Sequence, residues 1–113
     1  MSKKVLDVGQ CPPDHYAIKN LIQSFGAEIR KCDHPKQAMK ILKESRYDLV
    51  LVNRKIDIDY TDGIDLIRMM KSDPETSAIP VMMITNLSEY QEEAVTEGAT
   101  PGFGKNDLDS PST

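Results

Sequence analysis

A short apolar run that stops at an amide constrains the fold of this chain more than any other feature. In "YDLVLVN" the residues Leu49-Val50-Leu51-Val52 are continuously apolar and end at Asn53. An unbroken run of this length predicts a strand covered on both faces, as in parallel sheets flanked by helices. The rest of the chain keeps to the same frame. "KKVLDVG", "AEIRKC" and "IPVMMIT" predict further strands, and "PGFGK" a weak fifth.

Helical stripes fall between them. "PPDHYAIKNLIQSFG" places Ile18, Leu21, Ile22 and Phe25 on one face and stops at Gly26. "PKQAMKILKES" turns Ala38, Ile41, Leu42 and Ser45 inward, and "DGIDLIRMMKS" buries Leu66, Ile67 and Met70. "SEYQEEAVTEGA" offers Ser88 and Gln91 as a capping box, with Gly98 closing the helix. This alternation predicts an α/β, doubly wound, five-stranded parallel sheet with right-handed crossovers. Ligands of such sheets sit at the carboxyl ends of the strands. Here those ends are Gly9-Gln10-Cys11, Cys32-Asp33-His34, Asn53-Arg54, Thr85-Asn86 and Lys105-Asn106.

Composition narrows the function classes. At 113 residues the chain predicts a single domain, ordered from about residue 3 to 106, with a polar tail over 107–113. A net charge of -4 and no basic stripe argue against nucleic acid. There is neither a membrane-span run nor a signal-peptide pattern, and two cysteines then read as reduced thiols, so a cytoplasmic location is expected.

Several segments together resemble the CheY-like receiver domain of bacterial two-component response regulators. "KKVLDVGQCPPDHYAIKNLIQSFG" is similar to the family's first strand, acidic corner and first helix, and "YDLVLVN" to its third strand. "TDGIDLIRMMKSDPETSAIPVMMIT" resembles its Asp-Gly turn, third helix and fourth strand, and "EGATPGFGK" the approach to its strand-five lysine. The resemblance covers residues 3 to about 106 and implies a flavodoxin-like sheet of order 2-1-3-4-5. It also implies a phosphoacceptor aspartate after strand three, two Mg²⁺-binding acids after strand one, a Thr or Ser after strand four and a Lys after strand five. By position these are Asn53, then Gly9 and Gln10, then Thr85 and Lys105. Only Thr85 and Lys105 match. An amide is a poor nucleophile, and Mg²⁺ requires hard anionic oxygens, so neither phosphotransfer at Asn53 nor Mg²⁺ is expected. With Arg54 and Lys55 adjacent, the pocket should be neutral to positive, open to a small anion at Lys105 and Arg54, or simply closed by a Lys105–Asn53 hydrogen bond.

Other constellations are weaker. Pro12 fixes the register that puts Gly9 and Gln10 at the acidic corner, which leaves Asp7 in mid-strand, where its charge needs a partner or solvent. In the loop "RKIDIDYTDG", Asp57 and Asp59 suggest a calcium loop, but the glycine and the distal glutamate are out of place; helix capping by Asp62 or Thr61 explains the loop better. Cys11, His15, Cys32 and His34 share one sheet edge and could form a tetrahedral Zn²⁺ site, although their spacing matches no standard pattern. Cys11 precedes a helix, which favours a thiolate, yet the segment lacks a phosphate-binding catalytic loop.

The resemblance with these losses implies a degenerate pseudo-receiver in signal transduction. It would be a phosphorylation-independent protein-interaction module, not an enzyme, and would need no cofactor. Its surface would be the fourth helix with strand five. The family's fifth helix is short or missing here, so the partner is a signalling protein or a second copy on the face thus left open. Two alternatives remain: a receiver switched by phosphate, another anion or an atypical acceptor, and a small metal- or thiol-dependent enzyme on a flavodoxin-like fold.

Overall fold

A computed structural model of the chain describes residues 3–56 and 62–104. Strands and helices alternate as β1 (Lys4–Val8), α1 (Pro12–Ser24), β2 (Glu28–Cys32), α2 (Pro35–Glu44), β3 (Leu49–Asn53), α3 (Ile64–Ser72), β4 (Val81–Ile84) and α4 (Ser88–Thr96). All pairings are parallel and the order is β2-β1-β3-β4. Burial follows position in the sheet. The inner strands β1 and β3 are buried almost throughout, whereas the edge strand β2, "EIRKC", is mostly half-exposed or exposed.

The sheet has two unequal faces. Leu6, Val8, Val50, Val52, Val81 and Met83 pack against Ala38, Ile41 and Leu42 of α2, Leu66, Ile67 and Met70 of α3, and Ala94 of α4. On the opposite face Val5, Leu51 and Ile84 pack with Ile18 of α1, and Ile22, Ile29, Leu49, Met82 and Phe103 are only half-buried around them. The stripes expected of α2 and α3 are inside, apart from Ser45, which is exposed because the helix has ended and its backbone is extended. The stripe of α1 is shorter than its periodicity suggests. Ile18 is fully buried, but Phe25 is 70% exposed, because it lies past the last helical residue and leaves the stripe.

Among the described residues the sheet has four strands, not the expected five. What remains of a fifth is one parallel bridge, Ile84 to Phe103, with the Thr85 N–H donating to Phe103 O at 3.1 Å. Its sequence explains the shortfall. Pro101 has no N–H to give a ladder, and flanking glycines weaken a strand. Gln91 takes over the missing pairing. Its Nε2 donates to Met83 O at 2.8 Å, and its Oε1 accepts from Gly102 N–H at 3.0 Å. The side-chain amide thus stands in for a peptide unit between β4 and the segment after α4. The expected Ser88–Gln91 capping box is therefore not formed; Leu87 is the N-cap, without a side-chain cap bond. Lys105, the polar tail and the expected loss of a last helix lie outside the described residues.

Candidate functional site

The carboxyl ends of β1, β3 and β4 meet where the frame predicts, and each end is shaped by one residue. After β1, Gly9 has φ +79 and donates its N–H to Cys32 O at 2.8 Å. Only glycine adopts this conformation at little cost. Space gives a second reason. A Cβ on Gly9 would collide with Cδ1 of Ile56 and lie 3.3 Å from the Ile56 Cα. Ile56 is fully buried, so a leucine-sized side chain fills the position toward which residue 9 would otherwise project.

Asn53 ends β3 half-buried, and its Nδ2 donates to Lys55 O at 2.6 Å and Gly9 O at 3.3 Å. Both neighbours are carbonyl oxygens, so only the nitrogen of the amide can face them. The side chain ties the loop after β3 to the turn after β1. Gly63 completes this corner: its N–H donates to Arg54 O at 2.8 Å, and any Cβ there would strike Asn53 O. Asp62 Oδ1 accepts from Ile64 N–H at 3.1 Å, although the N-cap of α3 is Gly63 rather than the expected Asp62 or Thr61. Asp57, Asp59 and Thr61 lie outside the described residues.

Arg54 turns toward α4, where its guanidinium sits 4.0 Å from the centre of the Tyr90 ring, a cation–π stack. Its Nε is buried without a hydrogen-bond partner. Thr85 is occupied locally: its Oγ1 accepts from Leu87 N–H at 3.3 Å and its carbonyl from Gln91 Nε2 at 3.3 Å. Arg54 and Thr85 therefore stand at the same sheet edge as Gly9 and Asn53, each with a partner other than Asn53. Lys105, and any bond from it to Asn53, lies outside the described residues.

The Cys and His candidates do not converge. Among the described residues no three His, Cys, Asp or Glu side chains form a group that could hold a metal. Cys11 Sγ donates to Asp14 Oδ2 at 3.0 Å. Cys32 is buried with Sγ 3.3 Å from His34 O, and burial raises its thiol pKa, which disfavours the reactive thiolate. His15 instead meets Asp7: Nδ1 lies 2.7 Å from Oδ2, and the Asp7 side chain has no exposed surface. Burial pushes the Asp7 carboxyl up to about 6, against the opposing pull of His15. Gln10, also fully buried, lies near enough to favour the Asp7 carboxylate, yet neither its nitrogen nor its oxygen meets a hydrogen-bond partner.

The sequence made Asp7 a residue in need of a partner without naming one. The signal was present, since the first turn of the helix in a βα unit returns over the end of its strand, and His15 is the polar residue there. Ile56 and Gln91 carried no such signal, because an isoleucine in a charged loop and a glutamine in an acidic helix look ordinary.

Comparison with known proteins places this geometry. The family model for the response regulator receiver domain matches residues 14–106. The chain belongs to that family. The receiver is 29% identical over 100 residues to the chemotaxis protein CheY-3 of Vibrio cholerae, covering 88% of this chain and 74% of that relative. It is 26% identical over 82 residues to protein PilH of Pseudomonas aeruginosa, covering 73% of this chain and 66% of PilH. Among solved structures it superposes on a response regulator from Chloroflexus aurantiacus with a TM-score of 0.84 at 16% identity, covering 96% and 92% of the two chains. The receiver domain of a Pseudomonas aeruginosa sensor histidine kinase, which holds a magnesium ion in its active-site cleft, gives 0.75 at 19% identity over 92% and 84%. At such identities the structural likeness establishes the CheY-like fold. Among the described residues no helix of this receiver is long and apolar enough to cross a membrane.

Proposed function

We propose that this receiver is a pseudo-receiver: a phosphorylation-independent protein-interaction module whose phosphotransfer pocket has become part of its framework. The observation that carries the reading is the double closure at the strand ends. The Asn53 amide is engaged by Gly9 O and Lys55 O, and Ile56 fills the space beside Gly9. The residues present do not suit Mg²⁺. Gly9 has no side chain, Gln10 is a buried amide, and Asn53 turns a donor rather than an oxygen toward its neighbours. No phosphotransfer step is assigned to them, and the domain is read as a non-enzyme without a cofactor.

Its work then falls to a surface, and α4 has the features of one. Leu87 and Val95 are 51% and 43% exposed, on an element that also exposes Glu89 and Glu92. The first turn of α4 is fixed from beneath by the Arg54–Tyr90 stack and the Gln91 bonds, which supports a face held in one arrangement without a signal. The partner is a signalling protein or a second copy of the chain, which would use the thinner face under α1. Treatment with acetyl phosphate or BeF3⁻ plus Mg²⁺, followed by mass spectrometry and NMR shift mapping, tests the reading. No mass gain and no pocket-wide shifts are expected. An aspartyl phosphate, or shifts spreading from Asn53 to α4, would overturn it in favour of a receiver that still switches.

A further inference from the structure

Asp7 sits in the middle of β1 on the face that α1 covers, a place where an apolar side chain would ordinarily stand. In register beside it are Lys31 on β2 and Leu51 on β3. Above it His15, 12% exposed, meets Oδ2; among the described residues Oδ1 has no partner, and Gln10 lies near enough to favour the carboxylate without pairing with it. The remaining charges nearby are otherwise engaged. Lys31 is paired with Asp33, and Asp14 accepts from Cys11. A buried carboxylate thus depends on one imidazole that reaches toward solvent.

The amino-terminal half of α1 presents one fully buried apolar side chain to the sheet. Tyr16 is 63% exposed, and Ile18 is the helix's one fully buried residue. We propose that the Asp7–His15 pair is a proton switch, built into the fold, that sets how firmly the first half of α1 docks on β1. Gaining a proton removes the negative charge from the buried carboxyl; losing it leaves a carboxylate buried beside one imidazole.

The sign is distinctive. Asp7 moves up from 3.8 to about 6 because burial outweighs the pull of His15 and Lys31. The folded state therefore holds the proton more tightly than the unfolded chain. The resulting stabilisation is complete below the unfolded value and is lost as pH rises through about 6. The interval corresponds to a change on the order of a hundredfold in the equilibrium. Asp73, lowered by Lys43, behaves in the opposite sense, so the two carboxylates cannot be confused.

The test is a carboxyl ¹³C NMR titration of the full chain, with hydrogen exchange of the α1 amides corrected for intrinsic rates. Asp7 should titrate with a midpoint near 6, and protection over residues 15–20 should rise relative to β3 as pH falls from about 7.5 to about 5. Asp7→Asn, which keeps the shape and can still accept from His15, should abolish that dependence. A wild-type midpoint below about 4.5, or an unchanged α1 response in Asp7→Asn, would overturn the proposal. Should Asp7→Asn fail to fold, the wild-type midpoint decides, and His15→Gln should shift that midpoint while flattening the response of α1.

Discussion

Restoring the family's acid at the end of β3 should damage this protein rather than revive it. In Asn53→Asp the two hydrogen bonds to Lys55 O and Gly9 O are lost, and a carboxylate oxygen is set against carbonyl oxygens at 2.6 and 3.3 Å. Each lost bond is worth about 1 kcal/mol, and the carbonyl of buried Gly9, deprived of this donor, adds about 1 kcal/mol. The expected loss is about 2–4 kcal/mol at pH 7, or roughly 10 °C in Tm for a domain of this size. Asn53→Ala removes the same bonds without the repulsion and should fall between wild type and Asn53→Asp. The Asn53→Asp deficit should also narrow on going to about pH 5, because a protonated carboxyl can donate to one of the carbonyls. Urea titrations of the three proteins at both pH values, with and without Mg²⁺, measure all of this. An Asn53→Asp protein as stable as wild type at pH 7 would refute the reasoning. So would one that gains Mg²⁺ affinity and becomes phosphorylated by acetyl phosphate.

Other substitutions probe separate contacts. Gly9→Asp forces a side chain into positive φ and against Ile56, and should lower stability by at least about 2–3 kcal/mol in thermal melts; adding Ile56→Ala should recover part of this, and no recovery would mean that Ile56 is not the obstacle. Gln91→Ala leaves Met83 O and Gly102 N–H without their partner and should cost about 2–3 kcal/mol, with faster hydrogen exchange at Gly102 and Thr85. Gln91→Glu should be worse, since a carboxylate cannot donate to Met83 O; equal stability of the two variants would argue against the donor role. Thr76→Val deletes the buried bond from Oγ1 to Met70 O at 2.8 Å and should cost about 1 kcal/mol by urea titration without altering any surface property.

The strand ends of this receiver are joined without a carboxylate at residues 9, 10 or 53. In the family pattern two acids follow strand one and an aspartate follows strand three, and those carboxylates repel one another until a metal binds. Here these ends are joined by an amide to two carbonyls, an isoleucine over a glycine, and an arginine stacked on a tyrosine ring. One polar group resists this pattern. Asp7 lies one layer below, where burial costs more than its imidazole partner returns and pushes the carboxyl up to about 6.

Much of this was written in local pattern. The continuous run Leu49–Val52, the helical spacing of Ala38, Ile41 and Leu42, and that of Leu66, Ile67 and Met70 are consequences of period and polarity, and they suffice for the layers, while the strand order followed from the family resemblance. The absence of acids at residues 9, 10 and 53 is likewise plain in the residues themselves. Periodicity misleads at element ends, where Phe25 and Ser45 leave their stripes, and along "PGFG", where backbone chemistry permits a single bridge. The decisive contacts are between residues far apart in the chain. Gln91 reads as a capping residue until Met83 and Gly102 are brought beside it. Gly9 reads as a lost acid until Ile56 is found against it. Chain order records which groups exist; which carbonyl, ring or imidazole each one meets depends on long-range packing, and that packing sets the chemistry left at the strand ends.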